Sequence, residues 1–175
     1  MRCSATIFLS LLLVPACLAA GRPVYFTHFG SPVRPDRYLR NLYDLEKIDL
    51  LRHPAMRGGC ALDIQLRFTP KYKRGVLHLD MAIIQFSRLQ VRIWNPNPPE
   101  KKIQIRATLG AASGGSRQMK SQVLIPGWNI YERTVGVSGA ECFETLQLVF
   151  EPVGNVIQLD QPVHLVFDGL ECFEK

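Results

Sequence analysis

The sequence predicts an all-β fold, a β-sandwich or a β-barrel, and three features indicate it. Apolar and polar residues alternate with a period of two in several segments beyond residue 60, which is typical of strands that bury one face. Turn-forming residues separate these segments, and helical periodicity is confined to one short stretch. Many strands divided by turns, with little helix, predict antiparallel sheets packed around a common core.

The region before residue 60 is irregular and contains the one helix that the sequence predicts. Residues 24–26 are apolar and aromatic, and we expect a short first strand there. Further on, Asp36 can cap a helix, and apolar residues recur at helical spacing at Leu39 and Leu42. One short N-terminal helix is therefore predicted over residues 36–47.

The remaining strands follow from the period-two alternation. They are predicted over residues 60–68, 77–81, 89–94, 103–109, 123–135, 146–151 and 163–173. Within this series Pro126 and Gly127 break or bulge a strand, and we interpret Trp128 as packing in the core or at its rim. The glycine-rich residues 110–118 are expected to form a flexible loop. No Pro-rich or Ser-rich linker divides the chain, so a single domain over residues 22–175 is predicted.

The first 20 residues have the layout of a secretory signal peptide. Arg2 supplies a positive start, residues 7–14 form a short apolar run, and small residues follow at Ala19 and Ala20. The run is too short for a transmembrane helix, which needs roughly 20 apolar residues, and no later segment qualifies. Residues 1–20 are therefore predicted as a signal peptide, and the mature protein as secreted or periplasmic.

Three processing sites are open. Cleavage after Ala19 and cleavage after Gly21 both leave small residues at the required positions. Residues 13–17 also resemble a bacterial lipobox, in which Cys17 would be lipidated and anchor the protein to a membrane.

The charge balance is basic, with 21 Lys and Arg against 15 Asp and Glu and a formal net charge of +6. This balance favours an anionic partner such as an acidic polysaccharide or a membrane surface. The short basic clusters at residues 71–74 and 101–102 lie beside predicted turns, however, which indicates solvated loops. An exported protein has little need to bind nucleic acid, so we expect no such partner.

Three cysteines lie beyond the predicted signal peptide, namely Cys60, Cys142 and Cys172. Export permits disulfides, and an odd number leaves one cysteine over. Cys60 opens an early strand and Cys172 closes the last one, so antiparallel pairing of these strands would make Cys60–Cys172 the first choice and Cys142–Cys172 the second. No Cys or His spacing indicates zinc.

The order of the segments resembles that of the galactose-binding-like jelly rolls, in particular carbohydrate-binding modules attached to polysaccharide-degrading enzymes. The matching segments are Gly-Cys-Ala-Leu at 59–62, Arg-Ile-Trp-Asn-Pro at 92–96, Pro-Gly-Trp-Asn at 126–129, Leu-Gln-Leu-Val-Phe at 146–150 and Val-Phe-Asp-Gly-Leu at 166–170. The resemblance covers residues 59–173. It implies an antiparallel jelly-roll β-sandwich that binds a poly- or oligosaccharide without catalysis.

The same resemblance implies a structural calcium ion, because many of these modules hold one with an acidic residue near the last strand. Asp168 matches that position, whereas residues 24–30 contain no acidic partner. A second departure is Trp94, which stands where Tyr is commoner before the Asn-Pro pair. We expect no other cofactor.

A candidate ligand face follows from the alternation on two successive strands. Sugar binding needs an aromatic ring to stack on the pyranose and planar polar groups to bond its hydroxyls. If the turn at residues 95–102 makes strands 89–94 and 103–109 a hairpin, their outward side chains share one surface. Gln147 and Glu151 would extend this surface if their strand joins the same sheet. These ligand-binding candidates are Gln90, Arg92, Trp94, Gln104 and Arg106.

Two other functions are open. The same face would suit a polypeptide if the domain is a structural or protein-interaction module of a secreted or envelope complex. A small hydrolase acting on polysaccharide would need two carboxylates across a cleft, for which Asp63 with Asp80, or Glu132 and Glu151, are available. No Gly-x-Ser-x-Gly elbow is present, and we expect a protein that is not an enzyme.

Overall fold

The protein is an antiparallel jelly-roll β-sandwich. The computed structural model describes residues 23–27, 45–52, 60–68, 73–136, 141–154 and 162–174. Its strands are β1 Pro23–Thr27, β2 Leu45–Arg52, β3 Cys60–Leu66, β4 Gly75–Ile84, β5 Arg88–Asn95, β6 Ile103–Ala111, β7 Ser116–Gln118, β8 Gln122–Leu124, β9 Gly127–Thr134, β10 Phe143–Pro152 and β11 Val163–Phe173. The described part of the chain contains no helix.

The strands form two sheets, here named sheet A and sheet B. Sheet A has the order β2-β3-β11-β5-β9, and β1 also pairs with β11. Sheet B has the order β4-β10-β6-β7, and β8 also pairs with β6. From β3 to β6, and again from β9 to β11, successive strands change sheet. This alternation is the jelly-roll connectivity, and all the pairings are antiparallel.

The core lies between the two sheets, and strands of both sheets contribute buried side chains to it. In β5 the burial alternates strictly, and β6 repeats the same alternation over nine residues. Burial of these side chains supplies the main driving force for the fold, at about 25 cal/mol per Å² of apolar surface. The largest fully buried side chains are Tyr131, Phe86, Phe143, Phe150, Phe167, Ile64, Leu66, Leu77, Leu79, Leu89, Ile93 and Ile103.

Tyr131 joins the two sheets across this core. Its ring is fully buried and belongs to β9 of sheet A. Its hydroxyl accepts a hydrogen bond from the backbone N–H of Ala107 in β6 (2.8 Å) and donates one to the carbonyl of Lys120 (3.1 Å). Burial raises the pKa of this phenol above its ordinary value, although the Ala107 bond and nearby Arg133 oppose the rise.

Most predicted strands are confirmed, and two segments differ from expectation. The helix predicted over residues 36–47 is wrong in its last three residues, because these open strand β2, which the irregular pattern did not predict; residues 36–44 lie outside the described residues. The segment 110–118, expected as a flexible loop, contains the turn between β6 and β7. Gly114 and Gly115 adopt positive φ angles of 92° and 89° there.

The predicted hairpin of β5 and β6 is wrong, because β5 belongs to sheet A and β6 to sheet B. The connecting segment is held away from a hairpin path by Asn97, whose side chain donates to the carbonyl of His164 in β11 (2.6 Å) and to Asn95 Oδ1 (2.7 Å). Three prolines in this segment also remove backbone donors. The chain therefore crosses from one sheet to the other at this point.

Candidate functional site

Two outer surfaces result from this fold, and each collects the outward side chains of one sheet. We call the outward side chains of β5, β9 and β11 the sheet A face. The register places Trp94 opposite Trp128, Arg92 opposite Ile130 and Gln90 opposite Glu132. These residues alternate with buried ones along their strands. The same alternation on β4, β6 and β10 forms the sheet B face.

An aromatic pair lies at one end of the sheet A face. The ring centroids of Trp94 and Trp128 are 5.4 Å apart, with an angle of 62° between their planes, which is an edge-to-face contact. Trp128 is 38% exposed, and Trp94 is partly buried. The pair thus exposes aromatic surface to solvent, and each ring packs against the other.

The turn before β9 explains how Trp128 reaches Trp94. Gly127 has a positive φ of 92°, which side-chain-bearing residues rarely adopt, and it pairs with Asn95. The side chain of Asn129 accepts from the N–H of Ile125 (3.0 Å) and donates to the carbonyls of Ile125 (2.8 Å) and Gly127 (2.9 Å). The buried Asn95 also donates to the Ile125 carbonyl (3.2 Å). Asn95 and Asn129, which directly follow Trp94 and Trp128, therefore both hold the turn before β9 in place.

Arg92 lies between the aromatic pair and a buried carboxylate. Its Cζ is 4.2 Å from the ring centroid of Trp128, which is a cation–π contact. Its Nε is 3.3 Å from Oδ2 of Asp168, whose side chain has no exposed surface. Asp168 is the extra residue of a β-bulge, because Phe167 pairs with Ile93 while Gly169 already pairs with Arg92.

A shallow depression adjoins Arg92 on the same face. Its lining residues are Gln90, Arg92, Ile130, Gly169 and Glu171. Because Gly169 has no side chain, β11 does not fill the depression at this position. Amide, guanidinium and carboxylate groups around an apolar wall can bond the hydroxyls of a polar ligand while one ring packs against the wall.

The sheet B face is organised differently, because its polar side chains bond to one another. Arg106 Nη2 donates to Glu151 Oε1 (3.0 Å), and Gln104 Nε2 donates to Oε2 of the same carboxylate (3.2 Å). Gln147 Nε2 lies 3.2 Å from Nδ1 of His78. Hydrogen bonding across adjacent strands is the ordinary way in which a solvated sheet face satisfies its polar groups.

The structure divides the predicted ligand residues between these two faces. Gln90, Arg92 and Trp94 lie together on the sheet A face, but Gln104 and Arg106 lie on the sheet B face. The prediction of one shared surface is therefore wrong, because its premise, a β5–β6 hairpin, does not form.

The interpretation of Trp128 is also corrected. Trp128 does pack, against Trp94 and Arg92, but on the solvent-facing side of the sheet rather than in the core. The alternation of Trp128 and Ile130 with the buried Asn129 and Tyr131 carried this information in the sequence. No sequence pattern indicated that Gly169 and Glu171 line the depression beside Arg92, because their position depends on the pairing of β11 with β5.

The surroundings of Asp168 do not fit a calcium ion. Calcium takes six to eight oxygen ligands, whereas this carboxylate has the guanidinium of Arg92 at 3.3 Å. Among the described residues no group of three or more His, Cys, Asp or Glu side chains converges on a common point. We therefore derive no role for a metal from Asp168.

The predicted disulfides do not form in this structure. Cys172 is a free, fully buried thiol, which rules out both Cys60–Cys172 and Cys142–Cys172. Its backbone pairs with Leu89 of β5 and Tyr25 of β1, whereas Cys60 pairs with Arg52 of β2. Burial raises the pKa of the Cys172 thiol to about 12.

The acidic pairs considered for hydrolysis are separated by the sandwich. Asp63 belongs to β3 in sheet A and Asp80 to β4 in sheet B, and Glu132 and Glu151 are divided in the same way. Asp63 and Asp80 therefore do not lie on neighbouring strands, as a shared hydrolytic site on one sheet would require. Asp63 instead lies near His164, with 3.7 Å between its Oδ1 and the histidine Nδ1.

Residues 1–22, which include the predicted signal peptide and Cys17, lie outside the described residues. In the described ranges, no helix is long and apolar enough to span a membrane.

Comparison with known proteins identifies the fold. No protein-family model and no curated protein matches the sequence. A carbohydrate-binding module with specific mannan recognition is similar in structure, with a TM-score of 0.57 and 11% identity over 88% of this chain and 98% of that chain. A xylan-binding domain from Paenibacillus barcinonensis gives a TM-score of 0.50 and 12% identity over 89% and 97%. An exo-beta-agarase gives 0.59 and 7% identity, over 89% of this chain and 25% of that chain. The chain thus has the jelly-roll fold that these binding modules also use.

Proposed function

We propose that the protein binds a poly- or oligosaccharide on the sheet A face, without catalysing a reaction. The observation that carries this proposal is the edge-to-face pair of Trp94 and Trp128, partly open to solvent, beside a depression lined by polar groups. Aromatic rings stack on the apolar faces of pyranose rings, and few other side chains do so at the protein surface.

The polar groups of the depression complete this chemistry. Gln90 offers both a donor and an acceptor, Glu171 offers acceptors, and Arg92 offers planar donors, so neighbouring hydroxyls can be bonded in pairs. Ile130 is 54% exposed and provides an apolar wall opposite them. A sugar chain over this surface would keep one ring on a tryptophan and place hydroxyls of the next over the depression.

The proposal draws further support from the similar structures. The mannan-recognising module and the xylan-binding domain share this fold at 11% and 12% identity. The fold hosts many functions, so the argument depends on the site itself rather than on the fold. We infer binding without catalysis because the described residues of the sheet A face form an open surface, whereas a glycosidase holds two carboxylates across a cleft.

A glycan array probed with the labelled protein tests the proposal directly. We expect retention of one class of glycan, loss of that signal in Trp128→Ala, and an unchanged signal in Gln147→Ala. Gln147 is the matched control because it is a surface residue of the sheet B face bonded to His78. Binding that survives Trp94→Ala and Trp128→Ala together would place the ligand elsewhere and contradict this site.

A polypeptide partner is the second candidate, and the apolar edge beside Trp128 favours it. Ile125 is 63% exposed and Ile130 is 54% exposed, and groups of exposed apolar side chains mark sites of protein interaction. If the array is negative, co-purification from the native source with wild-type protein and with Ile125→Asp would test this candidate. A protein retained by the wild type and lost with the variant would support it.

We also propose that the protein acts outside the cytoplasm, as a secreted or periplasmic protein. The support is the arrangement of Arg2, the apolar residues 7–14 and the small residues after them. Mass spectrometry of the mature N-terminus separates the alternatives: cleavage after Ala19 or Gly21, or a lipid-modified Cys17. An uncleaved Met1 in the mature protein would contradict export by this signal.

A further inference from the structure

We propose that Asp168 is a positioning residue, which holds the guanidinium of Arg92 over the ring of Trp128 and thereby fixes the aromatic platform before a ligand arrives. Asp168 has no exposed surface, so it acts on a ligand only through its neighbours. This inference rests on the proposed glycan site, and it assigns the buried carboxylate a role that neither calcium binding nor direct ligand contact supplies.

The first step is the β-bulge in β11. Phe167 pairs with Ile93 and Gly169 with Arg92, so Asp168 is inserted opposite the outward position of Arg92. A bulge adds a residue to one strand and re-aims its side chain. The inserted residue brings the Asp168 carboxylate to the Arg92 side chain, with 3.3 Å between Oδ2 and Nε.

The second step is the geometry of Arg92, which makes two contacts with different parts of one planar group. Nε lies 3.3 Å from Asp168 Oδ2, and Cζ lies 4.2 Å from the ring centroid of Trp128. A guanidinium can hold an oxygen at its edge and a ring against its flat side, whereas a lysine ammonium is a point charge with no plane to align. The ion pair with Asp168 therefore holds the guanidinium at the place where it also contacts the ring of Trp128.

The third step is the transfer of this order to the tryptophans. Trp128 is 38% exposed, and an exposed side chain retains rotamer freedom that binding would have to remove. Arg92 on one surface of its ring and Trp94 at an edge-to-face distance of 5.4 Å restrict that freedom. A platform that is ordered beforehand binds more tightly, because less entropy is lost on binding.

The test uses tryptophan fluorescence, because Trp94 and Trp128 are the two tryptophans of the whole sequence. In the Asp168→Asn variant we expect a shifted emission and stronger acrylamide quenching in the absence of any ligand, with binding of the array-selected glycan about tenfold weaker. The matched control is Glu151→Gln, which removes the charge of the Arg106 partner on the sheet B face. This control should leave both readouts at wild-type values.

A second variant covers the outcome in which Asp168→Asn does not fold. Arg92→Lys keeps a positive charge near Asp168 but has no plane to lie on Trp128, so it should give the same emission shift and the same weakening. In the Arg92→Ala background, adding Asp168→Asn should change the emission and the affinity little further, because the two residues act in series.

Three outcomes overturn the inference. One is a folded Asp168→Asn variant with wild-type quenching and affinity, the second is an Arg92→Lys variant with wild-type values of both, and the third is full additivity with Arg92→Ala. Failure of the proposed function is distinguishable from these. If the wild type binds no glycan, the ligand-free fluorescence still decides whether Asp168 orders the tryptophans.

Discussion

The two outer faces of the sandwich obey the same alternation but differ in how their side chains are satisfied. On the sheet B face, Gln104 and Arg106 share the carboxylate of Glu151 at 3.2 and 3.0 Å. On the sheet A face, Trp128 and Ile130 are 38% and 54% exposed. Both sheets also expose aliphatic side chains, including Ile83 on β4 and Val123 on β8 of sheet B. The two surfaces differ in that the sheet B face bonds its polar groups to one another, whereas the sheet A face presents an exposed tryptophan.

The difference has a physical consequence for binding. A ligand on the sheet B face would have to displace hydrogen bonds that already exist, and each exchange yields little net free energy. A ligand on the sheet A face covers exposed aromatic surface and gains the hydrophobic contribution directly. Variants of sheet A should therefore change binding more than stability, and variants of sheet B the reverse.

The largest effect is expected from removing both tryptophans. The Trp94→Ala and Trp128→Ala double variant should bind the selected glycan at least about a hundredfold more weakly, equivalent to about 2.7 kcal/mol. Titration calorimetry measures this change. The counterpart on the other face, Gln104→Ala with Arg106→Ala, should stay within about twofold of wild type; a large loss there would reverse the assignment of the faces.

The second largest effect is expected on the free energy of unfolding, and it comes from a change on the sheet B face. Glu151→Ala leaves Arg106 and Gln104 without their shared acceptor. We expect the free energy of unfolding to fall by about 1 kcal/mol, since the pair is only partly buried. Urea denaturation gives the change, and glycan affinity should not move. Weaker glycan binding by this variant would show that the faces are coupled.

A smaller effect is expected from the rim of the depression. Glu171→Gln keeps the size of the side chain but removes its charge and one acceptor, so affinity should weaken by about threefold, or about 0.7 kcal/mol. Calorimetry against neutral and acidic glycans reports the change. Tighter binding of an acidic glycan by this variant would indicate that Glu171 excludes anionic ligands instead of contacting them.

The smallest effect at neutral pH concerns the core shared by both faces. Burial raises the pKa of Cys172 from 9.0 to about 12. Since the neutral thiol is favoured in the folded protein, its contribution to stability is complete below about pH 9 and is lost as the pH rises towards 12. Cys172→Ala should therefore show a shallower loss of stability between pH 9 and 11 than wild type, and unchanged glycan binding at pH 7. Equal slopes would contradict this.

Much of the fold could be predicted because strand periodicity is local. The alternation placed the strands from residue 60 onward and identified the outward positions of Gln90, Arg92 and Trp94. Strand β2 was not predicted, because residues 45–47 were assigned to the helix predicted over residues 36–47 and residues 48–52 show no period-two alternation. Pairing with β3 gives this segment its extended conformation, and that partner lies outside any local window.

The candidate site was predicted only in part for a similar reason. The outward positions of Arg92 and Trp94 followed from their own strand, whereas the exposed position of Trp128 beside Trp94 was not predicted, because its neighbour across the sheet was unknown. The resemblance assigned Asp168 to a calcium ion, and its contact with Arg92 was not predicted, because the bulge that brings the two together is a property of the β5–β11 register. The buried Cys172 was assigned to a disulfide because its distance from Cys60 depends on the β3–β11 register, in which Leu62 pairs with Phe167.

The sequence by itself determined which residues form strands and which side chains share a face of each strand, because the pleat has a period of two whatever the partner. Only the tertiary structure decided which strands are neighbours. Backbone groups are alike in every strand, so the choice between pairing β5 with β6 or with β9 depends on loop paths and core packing summed over the whole domain. That choice placed Trp94 beside Trp128 instead of Arg106, and it created the face on which we propose that glycans bind.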